Sequence, residues 1–435
     1  MSVQSKNLRK YIIPSMISNA AFFVLTIVDG VFVGNGVGTD ALGAVNIAIP
    51  FVMIIGAIAA LFATGGVAVA AIRFGRGDVK GANQAFMHSF TINLVVFSTL
   101  TVVGMTCSDG IATLLGANDT FHQMVSEYIF YYSMFALPAG LFTCLANFCR
   151  NDGDPKIATV AALACTAFNI FGDWLLVYPL KRGVGGAALA TGASQLAAVV
   201  ILLMHFFLKR GQLRICKFKL QPSLFKKIII RGFPEMISQF AAPITTSSMN
   251  RVLIGISDPH VNAFSVIGYT GSLFASLMYG LSTGIQPLFG QSYGAKDEKS
   301  LKYYFRSGLI LGGIGGVAAF GLTFFIGKPI CMMFGADASA VDIVVTALPK
   351  YCLNFVFATA SAVIASYLFS TKRTQYAIVL NACRSIIFNF LCISFLPLIF
   401  GEQFVWYTVA VSEIICLIIG VTLWRVSERK GIIYK

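Results

Sequence analysis

Residues 42–72 read LGAVNIAIPFVMIIGAIAALFATGGVAVAAI, a run of 31 residues with no charged side chain, closed by Arg73 and Arg76. A helix needs about 20 mainly apolar residues to cross the hydrocarbon core of a bilayer, so this run is long enough to span one. A membrane β-strand would be shorter and would alternate apolar with polar residues. Outward from this run the same pattern recurs at 10–34, 85–107, 124–149, 156–180, 184–208, 228–257, 262–292, 307–327, 343–370, 375–400 and 404–424. Twelve apolar segments predict an all-α integral membrane protein with twelve transmembrane helices.

Composition leads to the same class. The 435 residues are 57% hydrophobic and 11% charged, with a mean hydropathy of +0.79. Soluble proteins carry about 25% charged residues. So few charges could not cover a soluble surface, which excludes soluble enzymes, nucleic-acid binders and disordered scaffolds. The first segment, from Tyr11 to Asn35, is too long for the apolar region of a signal peptide. It also contains Asp29 and lacks a small-x-small cleavage site, so it reads as a retained first helix. The ten cysteines, among them Cys144, Cys165, Cys383 and Cys392, are scattered through apolar runs and read as packing residues.

The net charge of +14 is explained by where the cations fall. Alternate connections hold Lys6, Arg9 and Lys10; Arg73, Arg76 and Lys80; Arg150 and Lys156; the run from Lys209 to Arg231; Lys296 to Arg306; Lys372 and Arg373; and Arg425 to Lys435. Together these hold 26 of the 32 Lys and Arg residues. The opposite connections hold only Lys181, Arg182 and Lys328. Positive charge concentrates on the cytoplasmic side, which predicts that both termini are cytoplasmic and that nucleic acid is not a partner.

The basic stretch after Lys209 divides the helices six and six. The expected organisation is an N-lobe over 1–209, a cytoplasmic linker over 210–227 and a C-lobe over 228–435. The halves are related in sequence. Pro14-Ser-Met-Ile-Ser18 recurs as Pro234-Glu-Met-Ile-Ser238, and Phe168-Asn169 as Phe388-Asn389, both 220 residues on. Gly75-Arg-Gly-Asp78 recurs as Gly294-Ala-Lys-Asp297, and Leu115-Gly-Ala117 as Phe334-Gly-Ala336, both 219 residues on. Six helices per copy makes the repeats parallel, which predicts two six-helix bundles related by a pseudo-twofold axis along the membrane normal, a layout of alternating-access transporters.

Ionisable side chains inside a membrane cost about 2.5–3.5 kcal/mol or more near its centre and are functional candidates. Asp29 lies roughly 28 Å along the first helix from its cytoplasmic end at about 1.5 Å per residue. Asn169 and Asp173, four residues apart, share a face of the fifth. Two carboxylates at one depth in low dielectric, with an amide oxygen, suit a cation or a proton; the alternative is hydrogen bonding to neighbouring helices. At the repeat offset Asp29 maps to Met249 and Asp173 to Ile393, while Asn169 keeps Asn389, so the acidic site belongs to the first half. Pro14 and Pro234 open the first helix of each half as bend points or as ordinary first-turn prolines. Arg384 and Glu413, on adjacent helices, read as a structural ion pair, and Arg251 and Lys350 as cations snorkelling from helix ends. His88, His122, His205 and His260 form no metal-spaced group, so no metal is expected beyond Na⁺. No nucleotide-binding loop occurs, so energy comes from an ion gradient or a partner. The 38 Phe and 13 Met residues offer an adaptable apolar surface.

Val28-Asp29-Gly-Val-Phe-Val-Gly34 with Gly36-Val-Gly38, Arg150-Asn-Asp-Gly-Asp-Pro155, Asn169-Ile-Phe-Gly-Asp173 and Gly183-Val-Gly-Gly-Ala-Ala-Leu-Ala-Thr191 together carry a resemblance. In their order and spacing the chain resembles the multidrug and toxic compound extrusion (MATE) family in its bacterial-type form, within a superfamily that includes lipid-linked oligosaccharide flippases. The resemblance covers essentially the whole chain. It implies a non-enzymatic, secondary-active efflux antiporter in the cell inner membrane, exporting small amphipathic, cationic organic compounds in exchange for H⁺ or Na⁺ without a cofactor. It implies ion coupling through Asp29, Asn169, Asp173 and Thr191, a helix-1 bend at Pro14, a cavity tyrosine at Tyr128, and a helix-4 oxygen from Thr143 or Asn147. Some members carry a further acid deep in the seventh helix. Here Glu235 lies too near Pro234, and Ala242 stands at that depth, so a C-lobe ion site is not expected. The chain is read as a monomer in contact with membrane lipid. The alternative function is a flippase of a lipid-linked saccharide or similar amphipathic precursor.

Overall fold

A computed structural model of the chain describes residues 3–334 and 338–429. Gly335 and Ala336, which complete one repeat pair, and Lys430 and Lys435 of the terminal basic cluster lie outside the described residues. Among the described residues there is no strand. The first half consists of α1 (Val3–Gly36), α2 (Thr39–Gly75), α3 (Val79–Thr106), the short α4 (Ser108–Leu114), α5 (His122–Met134), α6 (Ala136–Asn151), α7 (Pro155–Val177) and α8 (Gly183–Phe207). The second consists of α9 (Pro222–Ser238), α10 (Ala241–Ile254), α11 (Asp258–Gly294), α12 (Glu298–Phe334), α13 (Ala338–Cys352), α14 (Asn354–Ser370), α15 (Thr374–Ala382), a π-turn (Cys383–Ile387), α16 (Phe388–Phe400), a 3₁₀ turn (Glu402–Tyr407) and α17 (Thr408–Arg429).

All twelve apolar segments lie in these helices. Among the described residues ten helices are long and apolar enough to cross a membrane, and α5 with α6, bent by 49°, make an eleventh span. The seventh segment is broken into α9, of 17 residues, and α10, of 14, each too short to cross alone. The protein is a multi-pass, all-α membrane protein.

Two compact units form, one of Ile17–Met236 and the other of the chain up to Met16 with that from Ile237 onward. In the first, Phe86 stacks on Phe206 at 4.7 Å within a core shared by α2, α3, α6, α7 and α8. In the second, Met249, Ile267, Leu348 and Ile393 are fully buried in an apolar core. The first helix of each half therefore begins in the unit of the other half, and both changes of unit fall two residues past a proline, Pro14 or Pro234. Glycines make this possible by removing the side chain at backbone crossings. A Cβ on Gly280 would lie 2.6 Å from the Met16 Cα, and one on Gly284 2.9 Å from the Ile12 Cα. In the other unit a Cβ on Gly232 would strike the Leu61 carbonyl, and one on Gly65 the Ile228 carbonyl.

The repeat extends to the turns. Gly77 (φ 75°) and Lys296 (φ 58°), and Gly153 (φ 91°) and Lys372 (φ 65°), adopt the left-handed conformation, each pair 219 residues apart. Asp78 and Asp297 then cap the next helices by accepting the amides of Gly81 at 2.8 Å and Ser300 at 3.0 Å. The Ser300 hydroxyl and amide hold the Asp297 carboxyl below the usual aspartate range.

The stretch after α8 is tied down at its backbone. Asp152 accepts the amides of Gln212 and Leu213 at 2.7 and 3.1 Å, and Asn83 that of Arg214 at 2.6 Å. The Gln221 amide donates to His88 Nε2 at 2.9 Å.

Candidate functional site

Helices α7 and α8 pack more extensively on each other than any other pair of elements. Gly172 allows it, because a Cβ there would already lie 3.0 Å from the Ala190 Cβ. This approach places Asn169 and Asp173 of α7 beside Thr191 of α8, with both α7 residues fully buried. Helix α1 is held alongside by polar contacts nearer its start. Ser18 Oγ donates to Thr159 Oγ1 at 3.1 Å, and the Thr166 hydroxyl to the Ala21 carbonyl at 3.1 Å. At its far end Gly36 lies against Val177, and Phe32 meets Tyr178 edge-on at 5.8 Å. Between these ties Asp29 enters the group.

Asn169 Nδ2 donates to Thr191 Oγ1 at 3.3 Å. The single Thr191 proton is shared between Asp29 Oδ2, at 3.4 Å, and the Ala187 carbonyl, at 3.1 Å. Asp29 and Asp173 stand within electrostatic reach of each other. The remaining oxygens (Asp29 Oδ1, Asn169 Oδ1 and both of Asp173) are buried and receive no hydrogen bond. Among the described residues no cationic side chain acts on either carboxylate. The cluster is thus rich in acceptors and poor in donors, in a setting where an unpartnered buried charge is costly. A proton or a hard, oxygen-seeking cation is the chemistry that completes it. Among the described residues no group of three or more His, Cys, Asp or Glu could hold a metal.

Tyr128, on α5, is buried, and its ring lies nearly parallel to that of Tyr132 at 6.0 Å. Both phenols stand within electrostatic reach of Asp29. Tyr132 escaped the sequence reading; its signal is the four-residue spacing from Tyr128, which puts both on one helix face. The Thr143 hydroxyl donates to the Ala139 carbonyl at 3.3 Å, and Asn147 Oδ1 accepts Arg150 Nη1 at 3.1 Å. Helix α1 runs through Pro14 without interruption. Arg384, in the π-turn, donates from Nε to both Glu413 oxygens at 2.8 and 3.0 Å. Lys350 lies over the Tyr407 ring at 5.8 Å.

The MatE family model matches the chain twice, over residues 14–175 and 234–393, each match opening at one of the paired prolines. The multidrug export protein MepA of Staphylococcus saprophyticus is 23% identical over 342 residues, covering 77% of this chain and 75% of that protein. MepA of Staphylococcus aureus is 24% identical over 347 residues, covering 78% and 75%. Among solved structures, an outward-facing multidrug resistance MATE family transporter of the MOP superfamily matches with a TM-score of 0.92 at 22% identity, over 99% of this chain and 97% of that one. A mutant of the Vibrio cholerae MATE transporter VcmN gives 0.92 at 16% identity, over 99% of each chain. These likenesses to solved structures establish the fold.

Proposed function

Because this chain belongs to the multidrug and toxic compound extrusion (MATE) family, whose members are transporters and not enzymes, we propose that it is a secondary-active antiporter. It exports amphipathic organic cations from the cytoplasm by alternating access, in exchange for H⁺ or Na⁺, as a monomer with both termini cytoplasmic. The observation that supports this reading is the acceptor-rich cluster of Asp29, Asn169, Asp173 and Thr191, whose orphaned oxygens have no structural partner.

The energetic requirement is modest. Moving a two-state transporter from 1:99 to 99:1 takes about 5.5 kcal/mol of differential ligand affinity. Leaving one buried charge unpaired costs about 3–5 kcal/mol, so an ion that satisfies two carboxylates in one state and not in the other supplies a shift of this size. The ion need not displace substrate by contact; it has only to favour the state that holds substrate weakly.

The test is efflux of a fluorescent lipophilic cation from everted vesicles or de-energised cells, with H⁺ and Na⁺ gradients imposed separately. Asp29→Asn and Asp173→Asn should each reduce efflux at least about 100-fold, the loss of roughly 2.7 kcal/mol of coupling. The gradient that drives wild-type efflux names the ion. If folded, inserted wild-type protein moves no cation under either gradient, the antiporter reading fails and the lipid-linked flippase takes its place.

A further inference from the structure

The unit that lacks the acidic cluster carries an open cavity of about 300 Å³ at α10 and α16, with Ser247, Arg251 and Phe390 exposed on its walls. It is lined by Phe240, which caps the start of α10, by Pro243, Ile244, Ser247, Ser248 and Arg251 of α10, and by Phe390 of α16. The α10 positions recur at three- and four-residue intervals, so they form one face of the helix. That face is graded: its first turn is apolar, its second carries two hydroxyls, and its last carries a guanidinium.

Among the described residues, neither Arg251 nor the hydroxyls of Ser247 and Ser248 has a protein partner. Arg251 is exposed in the last turn of α10, where its aliphatic stem carries the guanidinium towards the helix end and leaves its charge open to an anion. Its planar fork matches a carboxylate or sulfonate bidentately, and the two serines add neutral donors beside it. Phe240 and Phe390 give the apolar end two aromatic walls. The volume is at the small end of the range for ligand pockets, about 300–1,000 Å³.

We propose that this cavity binds an amphipathic organic anion of one or two aromatic rings, with its carboxylate or sulfonate on Arg251 and its ring between Phe240 and Phe390. The site has the opposite polarity to the carboxylate cluster of the other unit, where an anion would be repelled. It is a binding site in its own right, and it stands whether or not the acidic cluster couples transport to an ion.

Photolabelling of the whole protein tests this directly. The probe is an azidonaphthalene carboxylate, with the trimethylammonium analogue of the same ring as control, on protein in phosphatidylcholine nanodiscs. Saturable labelling by the carboxylate, mapped by mass spectrometry to 240–251 and 390 and absent with the cation, is the expected result. Arg251→Gln should weaken it at least about tenfold, the scale of a lost charge-assisted hydrogen bond. Arg251→Lys, which keeps the charge but not the fork, should retain labelling between that of the wild type and that of Arg251→Gln, which separates loss of charge from loss of fold. Ser247→Ala with Ser248→Ala should weaken it by a smaller factor. Equal labelling by both probes, or labelling unchanged in Arg251→Gln, overturns the proposal. So does complete suppression on adding phosphatidylglycerol, since Arg251 would then be a lipid-phosphate anchor at a helix end. If both Arg251 variants elute as aggregates, competition by unlabelled naphthoate against the wild-type label decides: no competition overturns the site.

Discussion

The two halves of this protein build the same place in opposite ways. In the first, α1 and α7 bring Asp29 and Asp173 to Asn169 and Thr191. In the second, the equivalent positions hold Met249, Ile393, Asn389 and Val411. Met249 and Ile393 are fully buried in an apolar core, with Met249 accepting the Thr408 hydroxyl at its sulfur, 3.9 Å away. Asn389 keeps the habit of Asn169: its amide donates to a threonine, Thr245, at 2.5 Å. The scaffold therefore closes with either filling. The place can be filled without carboxylates, and the ion coupling proposed above is the reading that gives those of the first half a role.

That contrast can be broken most sharply by giving the first half the filling of the second. Asp173→Ile places the residue of position 393 among α1, α7 and α8. Cation efflux should fall at least about 100-fold, to background. Thermal stability in nanodiscs should hold or rise by up to about 2 kcal/mol, because apolar replacement of a buried, poorly satisfied charge is often neutral or stabilising. A variant that loses stability as well as efflux would show that the carboxylate is structural.

The reverse exchange, Ile393→Asp, should cost stability without creating coupling. The new carboxyl would sit in the apolar core that holds Leu253, Trp406 and Val409. The expected loss is at least about 3 kcal/mol, read as a lowered melting temperature. Its measurement shows how strongly the second half excludes acid.

Arg384 and Glu413 give the second half its own buried charges, already matched to each other. Their side chains are 25% and 11% exposed, so the pair is partly screened. Arg384→Met should destabilise by about 2–3 kcal/mol, less than the 3–5 expected of a fully buried pair. Adding Glu413→Leu should restore most of it. A double variant as unstable as the single would place the value of Arg384 in its stem packing and not in its charge.

Much of this was legible in the sequence because membrane physics is simple to read: long apolar runs, basic alternation and costly buried acids. Asp29, Asn169 and Asp173 stood out against an uncharged background. Thr191 did not, since a hydroxyl in a helix more often bonds to its own backbone; only the family resemblance named it. Tyr132 was hidden among 15 tyrosines and 38 phenylalanines, where one more aromatic residue carries no information. The change of unit after Pro14 and Pro234 was equally invisible. The choice of neighbour rests on glycines at the crossings, such as Gly280 against Met16 and Gly232 against Leu61, and a glycine's crossing partner leaves no mark in the sequence. The π-turn around Arg384 has no composition signal at all.

The smallest expected difference between the halves is at the turns that follow α2 and α11. Gly77 and Lys296 occupy equivalent left-handed positions, but only one is a glycine. An L-residue there pays roughly 1–2 kcal/mol in sterics, while glycine gives up about 0.5–1 kcal/mol of unfolded-chain entropy. Gly77→Lys should therefore lower stability by about 1 kcal/mol or less, and Lys296→Gly should raise it by a similar or smaller amount, with transport unchanged in both. The sign is the informative quantity. If both substitutions destabilise, Lys296 is held by an interaction that Gly77 lacks, and the two turns share a backbone shape without sharing its cause.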